Sequence, residues 1–266
     1  MQLRIRPPAV AGMFYPAGAS ELSGMLDDML AAGGEPHAEC PKALVVPHAG
    51  YIYSGPTAAA AYAMLDKQRI HRVVLLGPVH RVPVRGLALP EADTFSTPLG
   101  SITLDAAGMQ AIAQLPQVSR NALAHQSEHS LEVQLPFLQH CLDDFTLLPL
   151  VVGDASADEV AEVLVALWGG DETLILISSD MSHYHAYSEA QHIDAATAES
   201  ICHLRQPIHH EQACGATPLN GLLRLAAQKG MRCRQIDLRN SGDTAGDRNR
   251  VVGYGTFAFY EAGHET

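Results

Sequence analysis

The fold prediction starts from one stretch, Val45-Val46-Pro47-His48-Ala49-Gly50-Tyr51-Ile52-Tyr53-Ser54-Gly55. An apolar run at residues 43–46 leads into it and an alanine-rich segment at residues 56–65 follows it, which predicts a strand, a tight loop and a helix. His48 then lies at the carboxyl end of a core strand, where ligands bind in open α/β sheets. The alternative is a histidine that only caps a turn, so the functional interpretation depends on whether the arrangement recurs.

The same arrangement recurs twice. Residues 72–80 form a buried-strand pattern that ends in His80, and residues 173–180 form another that ends in Asp180, with His183 three positions later. If the strands before His48 and His80 are parallel neighbours joined by the intervening helix, both imidazoles emerge at one edge of the sheet. A carboxylate just before a histidine suits either metal ligation or an acid/base role.

The remaining patterns predict one α/β domain over residues 1–266, with a central mostly parallel or mixed sheet flanked by helices. Residues 145–152, 232–238 and 251–260 are further strand patterns, and helical spacing indicates helices such as 157–168 and 188–204. Short strands are expected at residues 84–104, as an excursion from the main sheet. Residues 240–247 form a polar loop that we interpret as a rim element.

A polar segment at residues 125–136 contains His129 next to Glu128. Ser127 or Ser130 is expected to cap a helix that runs through Leu142, and a histidine at such a helix start tends to be neutral. In the alternative, Glu128 and His129 have no functional role and only happen to lie at the start of that helix.

Cys214 is a second kind of candidate, because Pro218 follows closely and a helix is predicted at residues 219–228. A helix N-terminus favours the thiolate, so Cys214 is a candidate soft ligand or nucleophile. The five cysteines are odd in number and contain no Cys-x-x-Cys pair, which argues against a disulfide scaffold and against a structural zinc knuckle.

Charge and hydropathy exclude several classes of partner. The chain has 29 acidic and 17 basic residues and a net charge of −12, without a cluster of Lys or Arg. Nucleic acid and anionic membranes are therefore not expected as main partners. No segment approaches the roughly 18 apolar residues of a membrane span, and no signal peptide is visible, so a cytoplasmic protein is expected.

Two histidines and a thiolate from separate loops, with Asp180 and His183 nearby, favour a transition-metal site. Imidazole suits Fe, Zn, Cu and Ni, and thiolate shifts the preference toward the softer metals, so these residue types leave the metal open. A Ser-His-Asp hydrolase fits less well, because the chain has no Gly-x-Ser-x-Gly elbow.

Six motifs, in order along the chain from residue 6, resemble the Memo family, whose bacterial members are called AmmeMemoRadiSam system protein B. That family is similar in fold to the class III extradiol dioxygenases, which open catechol rings with non-haem Fe(II). Its members have been linked to iron or copper binding, and the animal members to phosphotyrosine-peptide binding. The motifs are Arg6-Pro-Pro-Ala-Val-Ala-Gly-Met-Phe-Tyr-Pro16, Pro47-His-Ala-Gly-Tyr-Ile-Tyr-Ser-Gly55, Leu76-Gly-Pro-Val-His80, Glu128-His-Ser-Leu-Glu-Val-Gln-Leu-Pro-Phe137, Ser178-Ser-Asp-Met-Ser-His183 and Cys214-Gly215.

The resemblance implies a role for each matching residue. It implies that the metal ligands are His48, His80 and Cys214, and that Asp180, His183 and His129 are catalytic. Tyr51 and Tyr53 follow His48 closely in the chain, so we expect them on the wall of the substrate pocket. The dioxygenases complete their ligand set with a carboxylate where this chain has a cysteine. A thiolate keeps the negative charge but is softer, more easily oxidised and better suited to Cu(I) or Zn.

Three functions follow as expectations. The first is a non-haem metal-dependent redox enzyme, with iron as the expected metal, copper or zinc as alternatives, and His183 moving the proton. The second is a non-catalytic module that binds a peptide or a small molecule and works beside a radical-SAM or other AmmeMemoRadiSam partner protein. The third is a metallohydrolase.

Overall fold

The structure is a computed structural model that describes residues 3–33 and 39–262. It is an α/β domain with a mixed sheet flanked by helices, as the sequence predicts. Within the described residues, no helix is both long and apolar enough to cross a bilayer. In chain order, the elements are β1 (Ile5–Arg6), α1 (Ala19–Ala32), β2 (Ala43–Val46), α2 (Tyr51–Tyr62), β3 (Arg72–Pro78), β4 (Leu87–Leu89), β5 (Thr94–Thr97), β6 (Gly100–Thr103), α3 (Ala106–Ile112), β7 (Val118–Arg120), α4 (Ala122–Gln126), α5 (Leu135–Cys141), β8 (Thr146–Val152), α6 (Ala157–Leu167), β9 (Thr173–Ser178), β10 (His183–His185), α7 (Tyr187–Cys202), α8 (Ala216–Gln228), β11 (Arg232–Asn240) and β12 (Val251–Tyr260).

The main sheet has the strand order β10-β12-β2-β9-β3-β8-β4-β7, and β11 pairs antiparallel with residues 253–260 of β12. Its centre, β2-β9-β3-β8, is parallel and almost completely buried, because these strands are continuous runs of Val, Leu and Ile. The strands β2 and β3 are parallel but are not direct neighbours, since β9 lies between them and pairs with both. The carboxyl end of β9 is therefore placed between the two histidine loops.

Helix α2 begins five residues earlier than predicted, at Tyr51 instead of Pro56. The residue before it is Gly50, which has no capping side chain, and the first helical N–H, on Tyr51, donates to the carbonyl of Phe14 at 2.8 Å. Pro56 then lies inside the helix, where it lacks an N–H. The start of α2 is thus set by a segment more than thirty residues away in the chain, which a local pattern does not reveal.

Ser127 and Ser130 do not start a helix, contrary to the prediction. A short 3-10 turn at Glu132–Gln134 precedes α5, and the Ser130 hydroxyl donates to the Pro78 carbonyl instead. The segment before this turn is a loop pinned against the end of β3. Helix α8 likewise begins at Ala216, three residues before the predicted start.

Only part of the region at residues 84–104 lies outside the main sheet, whereas we expected all of it to do so. Strand β4 joins the main sheet antiparallel to β8, whereas β5 and β6 form a separate three-stranded sheet with β1.

At residues 240–247, the Asn240 side chain accepts a hydrogen bond from Gly242 N and begins a 3-10 turn at Ser241–Asp243. No observation assigns a rim function to that turn.

The N-terminal arm, residues 6–15, is held against the sheet by the buried side chain of Glu132. This carboxylate accepts hydrogen bonds from the Arg6 guanidinium at 2.5 Å, the backbone N–H groups of Ala9 and Val10, and the Tyr15 hydroxyl. Arg6 also donates to the carbonyl of His125, in α4, and to the carbonyl of Glu128, in the loop before the 3-10 turn. The arm and that loop therefore form one connected unit beside the carboxyl edge of the sheet.

Candidate metal centre

His48 lies in the four-residue connection between β2 and α2 and is only 2% exposed. Its backbone N–H donates to Asp180 Oδ1 at 2.7 Å, and its Nδ1 atom lies 2.9 Å from Ser178 Oγ. Asp180 and Ser178 both belong to the end of β9. The central position of β9 therefore fixes both the backbone and the ring of His48.

The hydrogen bonds of Ser178 determine which nitrogen of His48 carries the proton. The Ser178 hydroxyl has one hydrogen, which it donates to Ser130 O at 2.6 Å, and it accepts from Gln134 Nε2 at 2.8 Å. The His48 ring must then donate from Nδ1, which leaves a lone pair on Nε2. Nε2 lies 3.3 Å from Cys214 Sγ. Burial lowers the pKa of His48 well below its usual value, so the ring is neutral and able to ligate a metal.

His80 follows β3, is more exposed than His48, and is oriented by Glu128. The Glu128 carboxylate accepts from four N–H groups: His80 Nδ1 at 2.9 Å, His80 N at 2.6 Å, and the backbone N–H groups of His129 and Ser130, each at 2.9 Å. Burial opposes ionisation of Glu128, but these hydrogen bonds and the charge of His80 outweigh it and lower the pKa to about 2. Because a carboxylate only accepts, His80 donates from Nδ1, and the lone pair of its neutral ring is therefore on Nε2.

Cys214 lies in the loop before α8 and is tied to the end of β9 by its own backbone N–H, which donates to Asp180 O at 3.2 Å. The next residue, Gly215, donates to Ser179 Oγ at 2.9 Å, and a Cβ atom there would lie 2.8 Å from Ser178 O. Only glycine permits this close approach.

The expectation that the helix dipole favours the Cys214 thiolate is wrong for the metal-free protein. Burial, reinforced by the charge of Asp180, raises the pKa of Cys214 to about 12. The thiol lies ahead of the first helical residue and is partly buried, so desolvation outweighs the dipole. A metal cation would have to displace the thiol proton on binding.

One ligand atom from each of His48, His80 and Cys214 lies within 4.8 Å of the other two. Ligands of a single tetrahedral ion are roughly 3.3–3.8 Å apart, so small side-chain rotations would complete such a site. The residues present therefore fit a metal ion, with two neutral imidazoles and one thiolate as donors. A second group, His80, Glu128 and His129, satisfies the same distance. It fits less well, because the carboxylate of Glu128 is already occupied by four N–H donors.

His129 joins this cluster by ring contacts. Its ring stacks on His80 with centroids 4.6 Å apart and meets His48 edge-on at 5.4 Å, while Phe14 of the N-terminal arm covers it at 4.8 Å. Burial lowers the pKa of His129. Its Nδ1 atom is buried and makes no hydrogen bond to any part of the chain that the structure describes, although Glu128 Oε1 lies 3.3 Å away in unfavourable geometry.

Asp180 and His183 also lie near His48. Asp180 is 5% exposed, and its second oxygen, Oδ2, lies 4.0 Å from His48 Nε2. Burial raises the pKa of Asp180, and the charge of His183 acts against that rise. His183 is half-buried at the start of β10, so the structure brings it into the electrostatic range of Asp180.

Tyr51 and Tyr53 lie in different environments in the structure. Tyr51 is 1% exposed, packs against the Phe137 ring at 4.9 Å and donates its hydroxyl to Val133 O, so it lies in the core and offers no free polar group. Tyr51 therefore does not lie on the pocket wall, contrary to the expectation. Tyr53 is half-exposed, and its substrate role stays a prediction.

A cavity of about 400 Å³ opens beside the ligand cluster, between the carboxyl ends of β3 and β8 and the start of α8. His80 and Cys214 line it together with Asp154, His210 and Thr217. Sequence reasoning missed Ser178, Gln134 and His210 and left the role of Glu128 open. The one local signal for Glu128 was its position directly beside His129 in the sequence. Ser178, Gln134 and His210 are recognisable only from their contacts in the folded structure.

Comparisons with known proteins confirm the resemblance. A family model described as Memo-like protein matches residues 6–258. Two proteins named MEMO1 family protein, from Aquifex aeolicus and Archaeoglobus fulgidus, are 38% and 34% identical to the chain. These alignments cover 95% and 96% of this chain and 98% and 99% of the relatives.

A crystal structure of an uncharacterized Escherichia coli K12 protein, JW3007, is similar to this fold with a TM-score of 0.51 at 14% identity. The match covers 81% of this chain and 99% of that one, and at this identity it supports the fold alone. Because the family model covers most of the chain and the relatives align along nearly their whole lengths, the chain belongs to the Memo-like protein family.

Proposed function

We propose that the protein is a non-haem metal-dependent redox enzyme, dioxygenase-like, that binds one transition-metal ion through His48, His80 and Cys214. The observation that carries the proposal is the convergence of three ligand atoms within 4.8 Å, two of them imidazole nitrogens whose partners leave a lone pair available. Iron is the metal we expect, and copper or zinc would suit the thiolate. When bound, the ion would supply Lewis acidity and redox chemistry that no amino-acid side chain provides.

The protein's own residues would prepare the site in two ways. Ser178 and Glu128 hold the two imidazoles in one tautomer and one orientation, so little is lost in ordering them when a ligand binds. Asp180 holds the backbone of His48 in place from the other side.

Proton handling would belong to the groups that surround the ligands without being ligands. His129 has a buried nitrogen that makes no hydrogen bond within the described residues, and it faces both imidazoles. We propose that His129, whose ring faces both imidazoles, helps to hold the substrate, and that His183, beside the buried carboxyl of Asp180, moves the proton. The cavity of about 400 Å³ has room for a small organic substrate.

The test is metal analysis of protein purified without oxygen, from cells supplied with iron or with copper. We expect about one ion per chain in the wild type, loss of the ion in His48→Ala, and retention in His192→Ala, which alters an exposed histidine of α7. Oxygen uptake with a panel of catechols then measures turnover. Protein that folds but contains no metal under either supplement would contradict the proposal. Retained metal without turnover would favour a non-catalytic binding module.

A further inference from the structure

A second cavity, of about 450 Å³, lies directly next to the metal cavity. The two share three lining residues, Ala155, His210 and Thr217. The outer cavity lies beyond them, against Ala157 at the start of α6 and the loop that joins α7 to α8. A ligand that starts at the metal cavity and passes these three residues would enter the outer cavity.

The loop that carries His210 is fixed at both ends and exposed in the middle. The Asn220 side chain binds the N–H and the C=O of Ile208, each at 2.8 Å, and the Gln212 side chain donates to Thr197 Oγ1 at 3.1 Å. Between these anchors, the three side chains of residues 209–211 are exposed. A firmly held loop with projecting polar side chains is a typical way of presenting groups to a ligand.

The contact that separates the two cavities is weak. His210 Nε2 lies 3.4 Å from Thr217 Oγ1, beyond the usual hydrogen-bond distance. Because the contact is long and the His210 ring is exposed, rotating the ring away would cost little free energy. A ligand can therefore connect the two cavities without disturbing the fold.

The charged groups of the two cavities are acidic. Asp154 lines the metal cavity and Glu211 the outer one, and no Lys or Arg lines either. Neither carboxylate forms an ion pair within residues 3–33 and 39–262. Together with the chain's net charge of −12, this surface favours a cationic group over an anionic one.

We propose that the two cavities form one extended substrate site, in which a metal-binding head occupies the inner cavity and an ammonium-bearing tail passes His210 into the outer cavity. This inference rests on the proposed function, because the head is placed by the metal. It adds a substrate class: elongated molecules that carry an amine at the end remote from the metal-binding head.

The test uses Co(II)-loaded protein at about pH 8, where ordinary histidine side chains are neutral. The probes are acetohydroxamic acid, 6-aminohexanohydroxamic acid, and adipic acid monohydroxamate, which share the metal-binding head and differ in the tail. Binding is measured by calorimetry and by the Co(II) absorption bands. We expect the ammonium-tailed probe to bind tightest, by about threefold to fivefold for each exposed carboxylate that it approaches.

Two variants assign the effect to the outer cavity. Ala157 lines the outer cavity and not the metal cavity, so Ala157→Phe should fill the outer cavity, remove the advantage of the ammonium tail and leave acetohydroxamic acid unchanged. Glu211→Gln should reduce the difference between the ammonium and carboxylate tails. Thermal melts check that both variants are folded.

The outcomes separate the two proposals. If acetohydroxamic acid binds but the ammonium tail adds nothing, or if Ala157→Phe weakens all three probes equally, the extended site is wrong and the metal centre stands. If Co(II) is not retained by folded protein, the metal centre fails and the extended site fails with it.

Discussion

Cys214 Sγ lies 3.3 Å from His48 Nε2, although 166 residues separate the two in the chain. Both residues are tied to the end of β9, His48 through Asp180 Oδ1 and Ser178 Oγ, and Cys214 through Asp180 O. The strand between the two histidine loops therefore acts as the common support of the ligand set.

Exchanging the thiolate for a carboxylate should change the metal preference. Cys214→Asp would give two histidines and one carboxylate, a set that suits Fe(II) and lacks the soft donor that Cu(I) and Zn prefer. We expect the ratio of bound iron to bound copper to rise by at least about tenfold when both are offered, because ligand softness governs this choice. Metal analysis after equilibration measures it, with Cys141→Asp as a cysteine control outside the cluster. An unchanged ratio would show that Cys214 is not a ligand.

The carboxylate of Glu128 should tune metal affinity without binding the metal. Glu128→Gln removes the acceptor that orients His80, and loss of such a partner typically weakens metal binding by about tenfold to a hundredfold. Competition with a chelator measures the affinity, and Glu189→Gln, at an exposed position on α7, is the matched control. If Glu128 were itself a ligand, the loss would match that of His48→Ala.

Glu128 should also make the metal-free protein sensitive to acid. Its folded-state pKa of about 2 is below that of an unfolded glutamate, so its stabilising contribution is complete above about pH 5 and is lost as the pH falls toward 2. The loss is on the order of 3 kcal/mol. Urea denaturation of wild type and Glu128→Gln across this range should give a flatter pH dependence for the variant. Parallel curves would mean that Glu128 is not ionised in the folded state.

Breaking the buried pair of Arg6 and Glu132 should be strongly destabilising. Glu132 has no exposed surface and its partner is 6% exposed, so Glu132→Gln leaves a buried guanidinium without its carboxylate, at a cost of roughly 3–5 kcal/mol. The exposed pair of Arg4 and Asp93 is the matched control, and Asp93→Asn should have a much smaller effect. Urea denaturation compares the two variants. Equal effects would contradict the role of Glu132 in holding the N-terminal arm.

Adding a methyl group at Gly215 should displace Cys214. The new Cβ would lie 2.8 Å from Ser178 O and 2.7 Å from Ser179 Cβ, and overpacking of this kind costs about 1–3 kcal/mol. We expect Gly215→Ala to lose metal and stability together. Gly24→Ala is the control: nothing lies within 4 Å of its new Cβ, and alanine inside α1 should stabilise by roughly 0.5–1 kcal/mol. Metal content and thermal melts report both changes.

Local residue patterns were sufficient for most of the secondary structure. Strands such as β12 and β9 are continuous apolar or β-branched runs, and their predicted positions agree with the structure to within two residues. The helix starts were less predictable, because α2 begins where the Phe14 carbonyl accepts its first N–H and not at the local proline signal. The family was also recognisable from motifs that lie in order along the chain, and the comparisons confirm it.

The sequence by itself determined which side chains could hold a metal, since His48, His80 and Cys214 each follow a strand or precede a helix in a recognisable motif. Tertiary structure alone decided how they meet. In the folded protein, β9 lies between β2 and β3, and Tyr51 is buried in the core. Hydrogen bonds to Ser178 and Glu128 set the tautomers of the His48 and His80 imidazoles. The physical reason is that hydrogen-bond partners, burial and the resulting pKa shifts depend on residues far apart in the chain, which only the folded sheet brings within bonding distance.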